Sequence, residues 1–444
     1  MKHPAVLVLA PLLAASTLAQ PVTAPAPTAS KDVESGVTAS PSAPSRQEVA
    51  TLRPRLLIAH AQGLTAVDAL TGRVLTQTAM PRFLRLANAG DGRHAMVIDG
   101  DTFRVFDMGL AARLHGDHYH YTATQPRMTP VTYAAPHAGH VVLHHGRTTL
   151  FADGTGAIQV IPSAQIAAPK APIQRFATTT PHHGVALMLA DGGLLTTQGT
   201  AAARTTVQVL HRGKVSAETT NCPGVHGETV AQPTRAGDVV ALGCENGPVV
   251  YRDRKFWKVP VKDAYSRSGN LFGHHESPLV LADYKVVKKM PEGQGPERPT
   301  RVAIIDTRRL RLDLLDLGTS YWFRSFARGP QGEGLVLGYD GRLRVIDMSR
   351  RSVTKSIPVI SAWKENTDWQ LPGPAVKVAG AYAYVTDAAK KQVAVVDLNT
   401  KRVTARYTLA QAPVEFVAVT GRPEAPADDH SDDHAGHDKG THMH

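Results

Sequence analysis

Short apolar segments alternate with small or polar residues along most of the chain, in a unit of roughly 45 residues. The pattern is clearest in residues 382–407, YAYVTDAAKKQVAVVDLNTKRVTARY, and it returns in residues 334–357 and 94–109. Val, Ile, Tyr and Thr occupy alternate positions, and Gly, Asp and Asn mark the turns, which is typical of strands joined in hairpins. No segment has the periodicity of a long amphipathic helix. The sequence therefore predicts an all-β fold.

Repetition of this unit predicts one propeller rather than several domains. Four strands in about 45 residues is the size of one propeller blade, which packs only against its neighbours. Eight outer hairpins indicate a single β-propeller of eight blades over residues 50–421, with seven blades as the alternative. The first hairpin lacks an inner strand, and residues 414–420 form a spare strand after the last repeat. We therefore expect the N- and C-terminal strands to close the ring.

Both ends of the chain lack the apolar periodicity of a folded core. Residues 1–19 combine a basic start, an apolar run and small residues, which predicts a signal peptide and an exported, periplasmic or extracellular protein. Residues 20–49 are rich in Pro, Ala, Ser and Thr and are predicted to be a disordered tether. Residues 422–444 are predicted to be a disordered tail. Nothing after the signal is long and apolar enough to insert into a membrane.

Charge and cysteine content narrow the classes of partner and site. The formal net charge is +11, but the basic residues are spread along the chain, so we expect no nucleic-acid partner. The two cysteines, Cys222 and Cys244, are expected to form a disulfide in an oxidising compartment. They are too few for a zinc site built from paired C-x-x-C motifs.

Histidine is the residue type that carries the candidate chemistry, with 21 copies in the chain. The densest motif is HGDHYHY, in which His118 and His120 would share one face of a strand and could bind one ion. Asp117 would be an oxygen ligand or a hydrogen-bond acceptor beside them. For this motif alone, the alternative is that His118 and His120 are surface side chains that bind no metal. Zinc is favoured because imidazole with an occasional carboxylate is its usual ligand set.

Further histidines recur at the spacing of one blade. They lie in the motifs PHAGH, PHHG, CPGVHGE and FGHHE, as His137, His182 and His183, His226, and His274 and His275. Equivalent positions in successive blades lie on one ring, so these side chains could converge although they are far apart in the sequence. We expect all of them at one end of the propeller, at the end of the first strand of each blade or in the turn that follows it. The alternative is that these repeated histidines are remnants of duplication that cap turns and bind no metal.

The C-terminal tail is a second candidate metal region. Its histidines lie among aspartates, at His430, His434, His437, His442 and His444. Because no rigid core fixes the geometry of such a tract, we expect it to bind divalent ions weakly and in several ways. Its expected role is to raise the zinc concentration near a better site.

A set of short motifs resembles the AztD family of periplasmic zinc metallochaperones. They are HGDHYHY, GRTTLFADGTG, PHHGVA, CPGVHGE, ALGCENG, FGHH and LADY, and the resemblance covers about residues 54–420. It implies a β-propeller that binds Zn²⁺ through histidines and delivers it to the zinc-binding protein of an ABC importer. By position, the metal motifs of the family would fall on Asp117, His118, His120, His182, His183 and His226. The family's histidine-rich segment would lie near the N-terminus, whereas here the His/Asp tract is C-terminal.

The sequence thus predicts a monomeric zinc metallochaperone that is not an enzyme. No nucleophile elbow, P-loop or dinucleotide motif occurs in a suitable context. The repeats also resemble those of surface-layer, lactonase-type and quinoprotein-dehydrogenase propellers, so an enzyme of the latter types or a cell-surface scaffold is the alternative. In a hydrolytic site, Glu228 could act as general base on a metal-bound water.

Overall fold

The computed structural model describes residues 47–423 with the exception of Asp117. The predicted signal peptide, the tether up to residue 46 and the five tail histidines lie outside the described residues. Nearly all regular elements in the described part are β-strands, which confirms the prediction of an all-β fold. The two exceptions there are short 3₁₀ helices, Ser163–Gln165 and Phe323–Ser325, and no described helix could span a membrane.

Thirty-five strands are found in the described residues. The first nine are β1 (Gln47–Val49), β2 (Arg55–His60), β3 (Gly63–Asp68), β4 (Val74–Ala79), β5 (Arg85–Asn88), β6 (His94–Asp99), β7 (Thr102–Asp107), β8 (Leu110–His115) and β9 (His118–Ala123). The next nine are β10 (Arg127–Ala134), β11 (Ala138–His144), β12 (Arg147–Ala152), β13 (Ala157–Pro162), β14 (Gln174–Ala177), β15 (Ala186–Met188), β16 (Leu194–Gly199), β17 (Arg204–His211) and β18 (Lys214–Thr219).

The remaining seventeen strands complete the described chain. They begin with β19 (Glu228–Thr234), β20 (Gly237–Leu242), β21 (Val249–Arg252), β22 (Lys255–Lys258), β23 (Leu271–His274), β24 (Ser277–Asp283), β25 (Arg301–Asp306) and β26 (Arg311–Asp316). They end with β27 (Phe326–Arg328), β28 (Gly334–Leu337), β29 (Arg342–Asp347), β30 (Ser352–Pro358), β31 (Val376–Ala379), β32 (Tyr382–Asp387), β33 (Gln392–Asp397), β34 (Arg402–Thr408) and β35 (Glu415–Val419).

Within the described chain, these strands form eight four-stranded sheets and one three-stranded sheet. Six of the four-stranded sheets contain four consecutive strands, beginning with β11, β15, β19, β23, β27 and β31. The other two have the orders β35-β2-β3-β4 and β5-β6-β7-β10. A series of four-stranded antiparallel sheets of this kind is the arrangement of a β-propeller.

The first sheet takes one strand from the other end of the chain. β35 pairs antiparallel with β2, from Arg55 opposite Val419 to Ala59 opposite Glu415. The spare C-terminal strand that the sequence predicts therefore lies beside the first hairpin. Phe416 is buried in this pairing, and burial of a side chain of this size stabilises the fold by about 1.5–3 kcal/mol.

The apolar core lies between neighbouring sheets. Phe103 and Val105 of β7 pack with Leu150 of β12 and Ile161 of β13 in one buried cluster. Middle strands are covered on both faces, so every residue of β3 and of β6 is buried.

An inserted hairpin interrupts the second sheet. β8 and β9 lie in the chain between β7 and β10, and they form the three-stranded sheet with β1. The sequence placed Gln47–Val49 in the tether, but these residues pair with β9. The pairing is favoured because the edge of β9 offers backbone N–H and C=O groups.

The two cysteines lie in the segments on either side of the hairpin of β19 and β20. Cys222 and Cys244 are joined by a disulfide with an S–S distance of 1.99 Å, and both residues are buried. The predicted pairing is confirmed. It fixes the segment that precedes β19 to the segment that follows β20.

Candidate metal centres

Three groups of side chains each bring three potential metal ligands within 4.8 Å of one another in the described residues. The hairpin cluster consists of His115, His118 and His120, which are exposed. The inner cluster consists of His140, His183 and His226, and the turn cluster of His144, His145 and Asp238. The members of the last two are partly buried.

The inner cluster takes one histidine from each of three consecutive sheets. His140 lies on β11, whereas His183 and His226 lie in the loops that lead into β15 and β19. The Nε2 atoms of His140 and His183 are 3.3 Å apart. The three ring centroids are separated by 4.9, 5.1 and 5.7 Å. The starts of three first strands thus bring together residues that are distant in the sequence.

Each ring of the inner cluster faces an acceptor on its Nδ1 side. Nδ1 of His183 is 2.6 Å from Oδ2 of Asp153, and Nδ1 of His226 is 2.7 Å from the backbone oxygen of Gly269. Nδ1 of His140 is 3.7 Å from Oε2 of Glu228. For His183 and His226, the hydrogen bond at Nδ1 holds the ring proton there and leaves the Nε2 lone pair as the metal ligand.

A glycine makes the carboxylate contact of the inner cluster possible. A Cβ atom at Gly139 would lie only 2.2 Å from Oδ1 of Asp153. Any larger residue at position 139 would therefore displace Asp153, and with it the hydrogen bond to His183. The glycine of the PHAGH motif thus helps to orient a ring from the next sheet.

The electrostatics of the inner cluster suit a bound cation. Among the described residues, Oδ1 of Asp153 and Oε2 of Glu228 are buried without a hydrogen-bond partner. Such unpaired oxygens cost free energy, and a nearby positive charge offsets that cost. Burial, together with the neighbouring His140 and His183, lowers the pKa of His226 to about 3. The ring is therefore neutral near pH 7, which is the form that binds a metal.

The hairpin cluster lies on the inserted hairpin. Nε2 of His118 is 3.2 Å from Nε2 of His120, so these two rings share one face of β9. The ring of His115, from β8, lies 5.4 and 5.3 Å from them. Nδ1 of His120 is 2.7 Å from Oε1 of Glu48 on β1. The third strand of this sheet thus brings a carboxylate to an exposed group of imidazoles.

The turn cluster lies at the other end of β11. Nε2 of His145 is 2.7 Å from Oδ1 of Asp238, and Nε2 of His144 is 3.1 Å from the same oxygen. The hydrogen bond to Asp238 raises the pKa of His145. Burial alone would raise the pKa of Asp238, but its contacts with the two rings hold that pKa well below its ordinary value.

A cavity of about 1290 Å³ is bordered by the turn cluster. The first strands of six sheets line it, through Val142, Leu187, Val230, Gly273, Arg328 and Val378. His144, His145 and Asp238 are part of its wall, and so is Glu228, which faces His140 of the inner cluster. The turn cluster therefore borders the cavity directly, whereas the inner cluster is represented there only by Glu228, whose Oε2 lies 3.7 Å from Nδ1 of His140.

Comparison with known proteins gives a clear relative, although no family model matches the chain. The zinc chaperone AztD of Citrobacter koseri is 24% identical over 396 residues, which is 86% of this chain and 89% of that protein. The crystal structure of AztD from that organism has a TM-score of 0.71 at 23% identity and covers 84% of this chain and 100% of that chain. Its apo structure has a TM-score of 0.69 at 22% identity, with the same coverage.

This chain resembles AztD. The resemblance predicted from the short motifs is therefore confirmed, and the fold is that of the AztD structures. Of the positions that the likeness to AztD implies as ligands, His118 and His120 meet in the hairpin cluster, and His183 and His226 meet in the inner cluster. Asp117 lies outside the described residues.

His182, another position implied by the likeness to AztD, lies apart from the three clusters. Its Nε2 is 2.9 Å from Oγ1 of Thr197, and its Nδ1 is 2.9 Å from the backbone oxygen of Thr180. The side chain is buried, and burial lowers its pKa. Both ring nitrogens of His182 therefore have hydrogen-bond partners within the described structure. Only the second histidine of PHHG reaches the inner cluster.

His140 was not among the predicted ligands, because His137 was chosen from the same PHAGH motif. His137 is exposed and has a φ of 49°, in the turn before β11. A regular spacing could have found the right residue, since His140, His183 and His226 are each separated by 43 residues. His115, the two histidines of the turn cluster and Asp238 were also missed as candidate ligands.

The expectation that the histidines of successive blades lie at one end of the propeller is wrong. His183 and His226 precede the first strands of their sheets. His274 and His275 lie at the end of β23 and in the turn that follows it. These positions are at opposite ends of the first strand, because a blade repeat places one loop before that strand and another after it.

Proposed function

We propose that this chain is a metallochaperone that binds Zn²⁺ in the inner cluster and delivers it to the zinc-binding protein of an ABC importer. One observation carries the proposal: three imidazoles from three sheets converge, each with an acceptor on its Nδ1 side. The likeness to a protein named as a zinc chaperone supports zinc as the cargo.

The ligand set fits the proposed cargo. Zn²⁺ is most often four-coordinate, and three protein nitrogens leave one position open. An open position allows a ligand of a partner to enter before a ligand of the chaperone leaves, which is the chemistry that transfer requires. The exposed hairpin cluster provides a further group of imidazoles that a partner protein could reach.

A carrier is favoured over a hydrolytic enzyme by the position of Glu228. This carboxylate faces Nδ1 of His140, the side of the ring opposite to the proposed metal ligand. A general base must instead reach a water bound to the metal. Glu228 is therefore placed to orient His140.

We also propose that the eight four-stranded sheets are the blades of one closed ring, in an exported protein. Buried clusters join neighbouring sheets, and one cluster joins the sheet of β31–β34 to the first sheet through Val395 and Leu56. The pairing of β35 with β2 supports closure by both ends of the chain. The disulfide suits an oxidising compartment such as the periplasm.

The test is the zinc content of the purified mature protein after competition with a chelator. The wild-type protein is expected to retain one tightly bound zinc ion, and His183→Ala/His226→Ala should lose it while keeping its far-UV circular dichroism. His137→Asn is the matched control, because it changes an exposed histidine near His140 and Asn tolerates a positive φ. A double variant that retains the tight zinc would overturn the inner cluster as the site.

Delivery is tested separately by mixing the zinc-loaded protein with the metal-free zinc-binding protein of the importer. After separation of the two proteins, the partner should carry more zinc than the zinc-loaded protein releases into buffer when no partner is present. Equal release with and without the partner would contradict direct transfer, although zinc binding itself would stand.

A further inference from the structure

The turn cluster is built differently from the other two clusters. His144 and His145 are adjacent in the sequence, yet their ring centroids are only 4.0 Å apart. His145 has a φ of 44°, in the left-handed region that residues other than Gly seldom adopt. This backbone conformation allows two neighbouring rings to face one carboxylate. The carboxylate, Asp238, comes from the start of β20 in a different sheet.

The carboxylate is itself held in place. Oδ2 of Asp238 accepts a hydrogen bond from the backbone N–H of Ala190 at 2.7 Å, which leaves Oδ1 directed at the two rings. The side chain is 6% exposed. Nε2 of His144 is buried and makes no hydrogen bond within the described structure, although it lies 3.1 Å from Oδ1. A buried nitrogen thus lies close to a carboxylate oxygen without an aligned hydrogen bond to it.

The turn cluster is too far from the inner cluster to share its ion. His140 and His144 are four residues apart on β11, and a strand rises by about 3.3 Å per residue, so roughly 13 Å separates them. A zinc–nitrogen bond is only about 2 Å long. Any ion held by the turn cluster is therefore an additional one.

We propose that His144, His145 and Asp238 form a second binding site for Zn²⁺ within the folded chain, separate from the inner cluster. Two imidazoles and one carboxylate are a ligand set that zinc uses in proteins, with one position left for water. Binding uses the Nε2 lone pairs, so the ring protons sit on Nδ1 or are released. Because the turn cluster borders the cavity, a zinc ion bound there would face the cavity. Glu228 is part of the same cavity wall.

The test is the number of zinc ions bound by the full mature chain, measured by elemental analysis after equilibration with free Zn²⁺ at a fixed concentration. Asp238→Asn should bind about one ion fewer than the wild type, since the amide keeps an acceptor for Ala190 but loses the charge. His145→Asn should give the same deficit, because it removes one imidazole ligand. The fold should be kept, since Asn tolerates the left-handed backbone. The tail contributes equally to all variants, so the difference reports on the turn cluster.

Asp191→Asn is the matched control, because Asp191 is also paired with a histidine, at 3.1 Å from Nε2 of His211, but outside the three clusters. Its zinc content should equal that of the wild type. Anomalous diffraction at the zinc edge from zinc-soaked wild-type crystals should show a peak between His144, His145 and Asp238. Unchanged zinc content in both turn-cluster variants, or no peak at this position, would overturn the second site. Neither result touches the inner cluster, which His183→Ala/His226→Ala tests independently.

Discussion

Asp153 shows how much of a zinc site can depend on a residue that does not bind the metal. Its Oδ2 accepts a hydrogen bond from Nδ1 of His183, while Oδ1 is buried without a partner in the described structure. The carboxylate therefore fixes the ring orientation and makes the ring a stronger base.

We predict that Asp153→Asn weakens zinc binding by about 10- to 100-fold, because such partners of ligating histidines typically have this effect. The amide oxygen still accepts the hydrogen bond, so the fold and the number of tight sites should not change. Competition with a chromophoric chelator measures the affinity. Asp191→Asn, which alters a histidine–carboxylate pair outside the clusters, should leave it unaffected. Equal affinities for the two variants would contradict a positioning role for Asp153.

The segment before β19 is the element that places His226. The backbone N–H of His226 donates to the oxygen of Gly243 at 3.0 Å, and the N–H of Gly243 donates to the oxygen of Gly227 at 3.1 Å. The disulfide between Cys222 and Cys244 joins the same two segments. A covalent bond and a pair of backbone hydrogen bonds thus hold one ligand of the inner cluster.

We predict that Cys222→Ala/Cys244→Ala lowers the free energy of unfolding by about 3 kcal/mol, the value expected for a loop of this size. It should also weaken zinc binding, since the loop that carries His226 gains freedom that metal binding must then remove. Urea denaturation and chelator competition measure the two effects, with the reduced wild-type protein as a second comparison. A large loss of stability with unchanged zinc affinity would show that the disulfide does not preorganise the site.

At the scale of the whole molecule, the described chain ends beside the exposed hairpin. Nη2 of Arg422 is 2.5 Å from the hydroxyl oxygen of Tyr121, and the guanidinium lies 6.0 Å from the ring centre of Tyr119. Both tyrosines are on β9, the strand that carries His118 and His120. The described chain therefore ends against β9, the strand that also carries His118 and His120.

We predict that deleting residues 424–444, which keeps Arg422, leaves the tight zinc in place but slows loading when zinc is scarce. A tethered group of weak ligands raises the local ion concentration without changing the affinity of the rigid site. Stopped-flow measurement of zinc uptake from a buffered solution tests this. Replacing the five tail histidines with Ser should have the same effect with the length and acidic charge kept. Loss of the tight zinc in either variant would place the primary site in the tail.

Local sequence features were enough for the all-β fold, the four-stranded unit, the spare C-terminal strand and the disulfide. A period of two residues identifies strands directly, and two cysteines allow only one intramolecular pairing. His118 and His120 could be placed on one face of a strand for the same reason. The histidines of successive repeats also indicated that ligands converge from several sheets.

Only the tertiary structure decided which side chains meet. In the loop before β15, His183 reaches the inner cluster, whereas its neighbour His182 forms hydrogen bonds with threonine residues. The choice of His140 over His137 depends on the turn before β11. The turn cluster required both a left-handed His145 and an aspartate from another sheet. The sequence determined the repeating strands because their pattern is local, whereas the metal centres depend on loop conformations and contacts between sheets that no local pattern contains.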